Sequence, residues 1–222
     1  MERELKLVPA DVATLDRLAR VEALGPFKVA SRSEERQRNS FFDTPSHSLE
    51  HAHVGFRRRV VTGRRLATWT IKGEGGVVRG VVSRPEIELE LDADMPPALA
   101  LDALRDAART RGAPVLAEQV ADALAVGGLP MAKPLLETET HRRILNLEAA
   151  DRGWSAELAL DQVQLIGHKF AEHEIEVELK RGDESALDAA RDAISQLGDV
   201  TESKGSKLSR ALAHLRECHC TS

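Results

Sequence analysis

Charged and apolar residues alternate along nearly every stretch of this chain that reads as β-strand. In EHEIEVELK (172–180), Ile175, Val177 and Leu179 fall on one face. Glu174, Glu176, Glu178 and Lys180 fall on the other, because successive strand side chains point to opposite sides. In RPEIELEL (84–91), Ile87, Leu89 and Leu91 oppose Arg84, Glu86, Glu88 and Glu90. In the opening ERELK, Glu2, Glu4 and Lys6 share a face. In GFRRRV, Arg57 and Arg59 oppose Phe56 and Val60; in TWTIKG, Lys72 opposes Trp69 and Ile71; in WSAELALD, Glu157 and Asp161 oppose Leu158 and Leu160. Carboxylates gather on some strands and guanidinium groups on others.

This period-two pattern predicts strands at 2–6, 38–43, 54–61, 66–72, 84–91, 136–147, 154–161 and 173–180. Apolar residues at helical spacing predict helices over 9–24, 184–197 and 203–217. An Ala/Leu-rich helical insertion at about 97–126 should break at Gly112 or Pro114. About eight strands, split by one helical insertion, predict an α+β fold: a closed, antiparallel, eight-stranded β-barrel with helices packed on the outside, in one domain spanning 1–222.

Composition narrows the function classes. Basic residues number 31 and acidic residues 36, a net charge of −5, which argues against a general nucleic-acid or membrane-surface binder. No apolar run is long enough to span a bilayer, and the charged N-terminus does not resemble a signal peptide. The two cysteines, Cys218 and Cys220, sit in a terminal CHC, so no disulfide framework is expected and a cytoplasmic location is. That CHC reads as a frayed tail ahead of a metal site. His47, His51 and His53 read as a surface loop, and Trp69 and Trp154 as packing residues under helices.

An amphipathic sheet normally turns its apolar face inward and its charges to water. Here several amphipathic helices are available to cover the apolar face from outside, which would leave the charges lining a lumen. A dry lumen of unpaired charges would be unstable, since each ion loses hydration worth several kcal/mol. A wet lumen that holds ligands is workable. Clustered carboxylates suit a hard divalent cation, Mg²⁺ above all; clustered Arg and Lys suit phosphate. Together they suit a metal–polyphosphate complex.

These residues resemble, in order along nearly the whole chain, the motifs of the CYTH superfamily, the triphosphate tunnel metalloenzymes. ERELK resembles the family's Glu-x-Glu-x-Lys signature, NSFFDTP its aromatic-Asp-Thr-Pro turn, VGFRRRV its Leu-Arg-Ile-Arg strand, and WTIKG its strand lysine. RPEIELEL resembles Arg-x-Glu-x-Glu, and PLLETETHRR carries the later arginine. ELALDQ supplies an aspartate, EIEVELKRGD resembles Glu-x-Glu-x-Glu, and ESKGSKLSRAL resembles the Ser-Lys-x-x-Arg-Gly ending, read with Lys204 as its lysine. On that alignment Lys207 replaces an arginine and Leu208 a glycine, while Arg58 replaces an apolar strand residue. The insertion and the PLLETET strand look most like bacterial inorganic triphosphatases; the histidine-rich helical domain of longer relatives is not expected within these residues.

The resemblance implies a charged tunnel that hydrolyses inorganic triphosphate to pyrophosphate and orthophosphate with Mg²⁺ or Mn²⁺. Glu2, Glu4, Glu174 and Glu176 would hold a first metal, and Glu88, Asp161 and Glu86 a second. Lys6, Arg57, Arg59, Lys72, Arg84, Arg142 and Lys204 would hold phosphates. Glu88 would act on the attacking water, with Lys6, Arg57 and Arg59 stabilising developing charge. The family also implies two alternatives, class IV adenylate cyclase and thiamine triphosphatase; a third is a non-catalytic polyphosphate- or nucleotide-binding module. The absence of Tyr and the five Phe favour a naked triphosphate. Nucleic acid and membrane partners are not expected, and monomer and homodimer stay open.

Overall fold

The computed structural model describes residues 2–220, the last three by backbone alone. β1 (Glu2–Pro9) leads into α1 (Val12–Ala19), whose N-terminus is capped by Asp11: its carboxylate accepts from the Thr14 amide at 2.7 Å. The tiny β2 (Ala23–Leu24) pairs with the long β3 (Phe27–Phe42). A single-turn helix α2 (Ser48–His51) precedes the hairpin of β4 (Gly55–Val61) and β5 (Leu66–Lys72). A second hairpin, β6 (Gly76–Val78) and β7 (Val81–Arg84), runs through Pro85 directly into β8 (Glu86–Asp92).

The helical insertion is two helices, α3 (Pro97–Thr110) and α4 (Pro114–Gly127). Gly112, at φ +82°, makes the break, and Pro114 opens the next helix, where its missing N–H costs nothing. Three long strands follow, β9 (Leu136–Ala149), β10 (Trp154–Leu165) and β11 (Ala171–Arg181). α5 (Ser185–Ser195), the short β12 (Val200–Glu202) and α6 (Lys207–Cys220) complete the described chain.

The expected closed barrel of eight strands does not form. The twelve strands make one antiparallel sheet in the order β6-β7-β1-β11-β10-β9-β3-β4-β5-β8, with β12 on β1 and β2 on β3, and it is not closed. Its ends, β6 and β8, do not pair. The chain itself crosses from one side to the other at Pro85: Arg84 pairs with Glu2 of β1, while Glu86 pairs with Lys72 of β5. Proline has no N–H to extend a ladder, and only its carbonyl is used, accepting from the Gly73 amide at 3.0 Å. Side chains bridge the two sides instead, with Lys72 Nζ 3.1 Å from Glu2 Oε1.

The apolar strand positions face helices. Leu5, Leu7, Leu158, Leu160, Ile175 and Val177 pack with Leu15 and Leu18 of α1 and Leu187 and Ile194 of α5. Phe42, Phe56, Trp69, Ile71 and Ile87 pack with Leu101 and Leu104 of α3 and Leu116 and Val120 of α4. Each such buried side chain contributes about 1.5–3 kcal/mol, so the sheet has strong reason to keep this face turned to the helices. α6 sits differently. Its Ala211 and Leu212 pack on Phe41, Leu136 and Leu165, and Leu208 and Leu212 also line the central cavity.

Candidate active site

The charged strand positions converge on a cavity of about 1350 Å³. Glu2, Glu4, Lys6, Arg57, Arg59, Lys72, Arg84, Glu86, Glu88, Arg142, Asp161 and Glu176 all line it. Each comes from the alternate positions of its strand, so one set of apolar contacts under the helices orients them all.

One wall is acidic. Asp161 stands opposite Glu174 on the β10–β11 ladder and opposite Arg142 on β9–β10. Carboxylate oxygens of Asp161, Glu174 and Glu176 all lie within 4.8 Å of one another. Asp161 and Glu174 are fully buried. Four cations hold this cluster. Arg142 donates Nε at 2.8 Å and Nη2 at 2.6 Å to Asp161, and Nη2 at 2.6 Å to Glu176. Lys6 Nζ lies 2.7 Å from Glu176 and 3.1 Å from Glu4. Lys207 Nζ touches Asp161 at 2.9 Å, Glu174 at 2.6 Å and Glu176 at 2.8 Å. Arg210 reaches Glu174 at 2.8 Å and Glu172 at 2.7 Å.

Burial pushes the Glu176 carboxyl up, but Lys207, Lys6 and Arg142 outweigh it and hold the group well below the usual carboxylate range. Asp161 is likewise held low by Arg142 and Lys207 against burial. The reciprocal effect raises Lys6, whose burial is outweighed by Glu176, Glu4 and Glu174.

A second set bridges the gap in the sheet. Arg84 donates Nε to Glu2 at 3.2 Å and Nη2 to Glu4 at 2.7 Å, and Lys72 lies 3.1 Å from Glu2 and 2.8 Å from Glu86. Burial nevertheless lowers Lys72, with Arg57 and Arg84 adding repulsion.

The opposite wall is basic and under-compensated. Arg57 makes only a 3.4 Å contact to Glu88 and one of 3.3 Å to Thr70, which itself donates to Glu88 at 3.0 Å. Arg59 has a single hydrogen bond, Nε to Asn39 Oδ1 at 3.3 Å, and no ion pair among the described residues. Burial, then Arg57 and Arg142, pull its pKa down to about 10. Burial pushes the Glu88 carboxyl up, but Arg57, a hydrogen bond with Glu86, Arg59 and Lys72 together outweigh it and hold the group below the ordinary range.

Two expectations need relocation. Lys204 is exposed and does not line the cavity; Lys207, three residues on, points into it. The chain contains Ser-Lys twice, at 203–204 and 206–207, and the second copy carries Arg210 at the motif's arginine spacing. That spacing was the available signal for both Lys207 and Arg210. Glu174 does not line the cavity either; it lies behind Glu176, with Oε1 taken by Ser203 and Arg210. Arg143 points outward to Asp16 at 2.8 Å, and Arg58 lies over Phe42 and Trp69 with its guanidinium carbon 5.7 Å from each ring centre. Arg58 thus caps the aromatic cluster on the apolar face.

Oxygen-only donors suit Mg²⁺ or Mn²⁺, and the acidic wall fits that test. Glu174 Oε2 is buried without a hydrogen-bond partner of good geometry although Lys207 Nζ is 2.6 Å away, so the group is open to a better-directed cation. Asp43, His47 and Glu50 also approach one another, but Asp43 already accepts from the amides of Thr44, Leu49 and Glu50, as a cap for α2. His51 and His53 are exposed at the cavity's edge. The side chains of Cys218, His219 and Cys220 lie outside the described residues.

The family model for the CYTH domain matches residues 1–212. The chain belongs to the CYTH domain family. HpAC1 from Hippeastrum, described by a dominant triphosphatase activity, is similar in structure at TM-score 0.67 and 21% identity over 94% of each chain. A candidate adenylate cyclase from Bacillus halodurans, bh2851, is similar at TM-score 0.56 and 20% identity over 95% of this chain and 98% of that one. PH1819 from Pyrococcus horikoshii OT3 is similar at TM-score 0.56 and 17% identity, over 96% and 99%. These likenesses show the shared fold. No curated protein matches the sequence. No helix among the described residues is long and apolar enough to cross a membrane.

Proposed function

We propose that this CYTH-domain protein is a metal-dependent triphosphatase that hydrolyses inorganic triphosphate to pyrophosphate and orthophosphate. The observation that carries the reading is the asymmetry of the cavity. Arg57 and Arg59 face into it with too little carboxylate to balance them, opposite an acidic wall rich in carboxylates. An anion binds the first and a cation the second.

Glu2, Glu4 and Glu176, with Glu174 and Asp161 from the same acidic cluster, would hold one Mg²⁺ or Mn²⁺; Glu86 and Glu88 are the donors for another. Such a cation offsets phosphate charge and lowers the pKa of bound water. Lys6, Arg57, Arg59, Lys72, Arg84 and Arg142 hold the phosphate oxygens and stabilise the charge that grows on the leaving pyrophosphate. Glu88, kept ionised beside Arg57, orients the attacking water and accepts its proton. The water oxygen bonds to the terminal phosphorus as the bridging P–O bond breaks. In this reading Lys207 replaces Lys204 among the cationic residues. The confinement of cysteine to 218 and 220 supports a cytoplasmic enzyme.

The test is phosphate release from inorganic triphosphate, ATP, thiamine triphosphate and pyrophosphate, each with Mg²⁺ and with Mn²⁺. Inorganic triphosphate should give the highest kcat/KM. No release from any of the four with either metal would leave a binding module.

A further inference from the structure

Lys207 is the first residue of α6, and its ammonium occupies the point where three carboxylates converge. The contacts are 2.9 Å to Asp161, 2.6 Å to Glu174 and 2.8 Å to Glu176, and those carboxylates lie within 4.8 Å of one another. All three are close ion pairs, and the one to Glu176 also has hydrogen-bond geometry. The cage carboxylates touch four cations, Lys6, Arg142, Lys207 and Arg210, two of them shared with further carboxylates, Lys6 with Glu4 and Arg210 with Glu172. Five carboxylates thus face four cations while Lys207 is in place. A divalent ion added beside Lys207 would meet the repulsion of its ammonium, and it would need the same oxygens at about 2.0–2.1 Å. With Lys207 gone, five carboxylates face three cations, and the convergence point is vacated. Lys6, Arg142 and Arg210 stand at the edge of the cage; each contacts one or two of its members, whereas Lys207 contacts all three.

We propose that Lys207 is a tethered counter-ion that competes with the divalent cation for the Asp161–Glu174–Glu176 cage, so that metal uptake expels the ammonium from it. The flexible four-carbon stem allows the exit without unfolding α6. Lys207 itself lines the cavity, so the released ammonium would stay close to where phosphate would lie. The protein thereby holds its acidic wall neutralised until metal arrives, and Lys207 sets the apparent metal affinity. This rests on the metal dependence proposed above.

The test is calorimetric titration of Mn²⁺ into the full chain, without substrate, for wild type, Lys207→Met and Arg64→Met. Met removes the charge in each; Arg64 is a cavity-lining cation paired with Glu35 at 2.8 Å, which is not among the proposed metal donors. Lys207→Met should bind Mn²⁺ at least about tenfold tighter, the scale of one close charge pair, and Arg64→Met should change far less. Metal-free Lys207→Met should melt lower than wild type and gain more from saturating Mn²⁺. Wild type alone gives an independent readout: reductive methylation followed by peptide mass spectrometry should label Lys207 faster in Mg²⁺ than in chelator. Equal Mn²⁺ affinity in wild type and Lys207→Met, or labelling that falls with Mg²⁺, overturns the counter-ion role alone. No binding by any of the three proteins overturns both it and the metal-dependent reading.

Discussion

Arg142 holds Asp161 with two guanidinium nitrogens, at 2.8 and 2.6 Å, from the residue directly opposite on the β9–β10 ladder. Asp161 is fully buried, so its charge depends on this partner and on Lys207. Removing one member of a buried pair leaves the other desolvated and uncompensated. Arg142→Met should therefore destabilise the protein by about 3–5 kcal/mol, and Arg142→Met combined with Asp161→Asn by less than the sum of the two. Urea denaturation of the three variants measures this; strict additivity would show that the pair does not act as a unit.

Arg59 is the converse case, a half-buried cation with no carboxylate partner among the described residues, which a bound anion would supply. Arg59→Met should leave the free protein as stable as wild type or more so. It should also abolish the rise in melting temperature that inorganic triphosphate gives wild type, and lower kcat/KM by about two orders of magnitude or more. Thermal shift with and without triphosphate, in chelator, isolates the anion from the metal. A retained triphosphate shift in Arg59→Met would move the anion site elsewhere in the cavity.

The two results above draw on side chains whose facing was legible from alternation alone. Phe56 and Val60 against Arg57 and Arg59 give the phase of β4 without any knowledge of its neighbours. The neighbours were another matter. Period-two patterning fixes faces, not pairings, and β2, β6, β7 and β12 are two to four residues long, too short to display it. Hence eight strands were expected where twelve form. Closure was expected because about eight strands split by one helical insertion suit a closed antiparallel sheet. The curled sheet encloses the same charges while Pro85 interrupts the last ladder, and that proline was visible in RPEIELEL only as the first residue after Arg84. At the C-terminus the choice between Lys204 and Lys207 needed helix phase: α6 starts at Lys207, which places Lys207 and Arg210 on adjoining turns facing the carboxylates of β11.

Acid should weaken the metal-free protein through the same wall. The Asp161 and Glu176 carboxyls lie below their ordinary values of 3.8 and 4.5 in the folded state, because Arg142, Lys207 and Lys6 outweigh burial. The unfolded chain then binds more protons than the folded one just below those values. Their contribution is fully present above about pH 5 and falls as pH drops, by up to about 1.4 kcal/mol per pH unit for each carboxylate. Glu178, pushed up by burial, works with the opposite sign, but it is one group against Asp161, Glu176, Glu88 and Glu137, all held low. Urea midpoints from pH 6 downward in chelator should fall, more shallowly in Glu176→Gln. A flat profile would mean the cage is not ionised.

Cyclase and triphosphatase make opposite demands on the cavity's organic end. Cyclisation needs a nucleoside gripped outside the phosphate site so that its 3′-oxygen reaches the α-phosphorus; hydrolysis needs a water behind the terminal phosphorus. A grip on adenine normally uses an aromatic face, and stacking of that kind is worth about 1–3 kcal/mol. Among the cavity-lining residues the one aromatic carbon ring is Phe41, which is 8% exposed and packed in the cluster under α6. Trp69 and Phe56 are buried on the other face under the helices, and Trp154 packs by Phe27. Nothing comparable among the described residues offers a base its π-face, while at least six basic side chains line the cavity. ATP incubated with the protein and Mn²⁺ should therefore give ADP and orthophosphate, more slowly than inorganic triphosphate is cleaved. Pyrophosphate, too short to span both walls, should inhibit without turning over. Separation of the products by ion-exchange chromatography decides it: cyclic AMP with an equal amount of pyrophosphate as the main products would refute the hydrolase, and would leave the acidic wall, the basic wall and the CYTH fold as they stand.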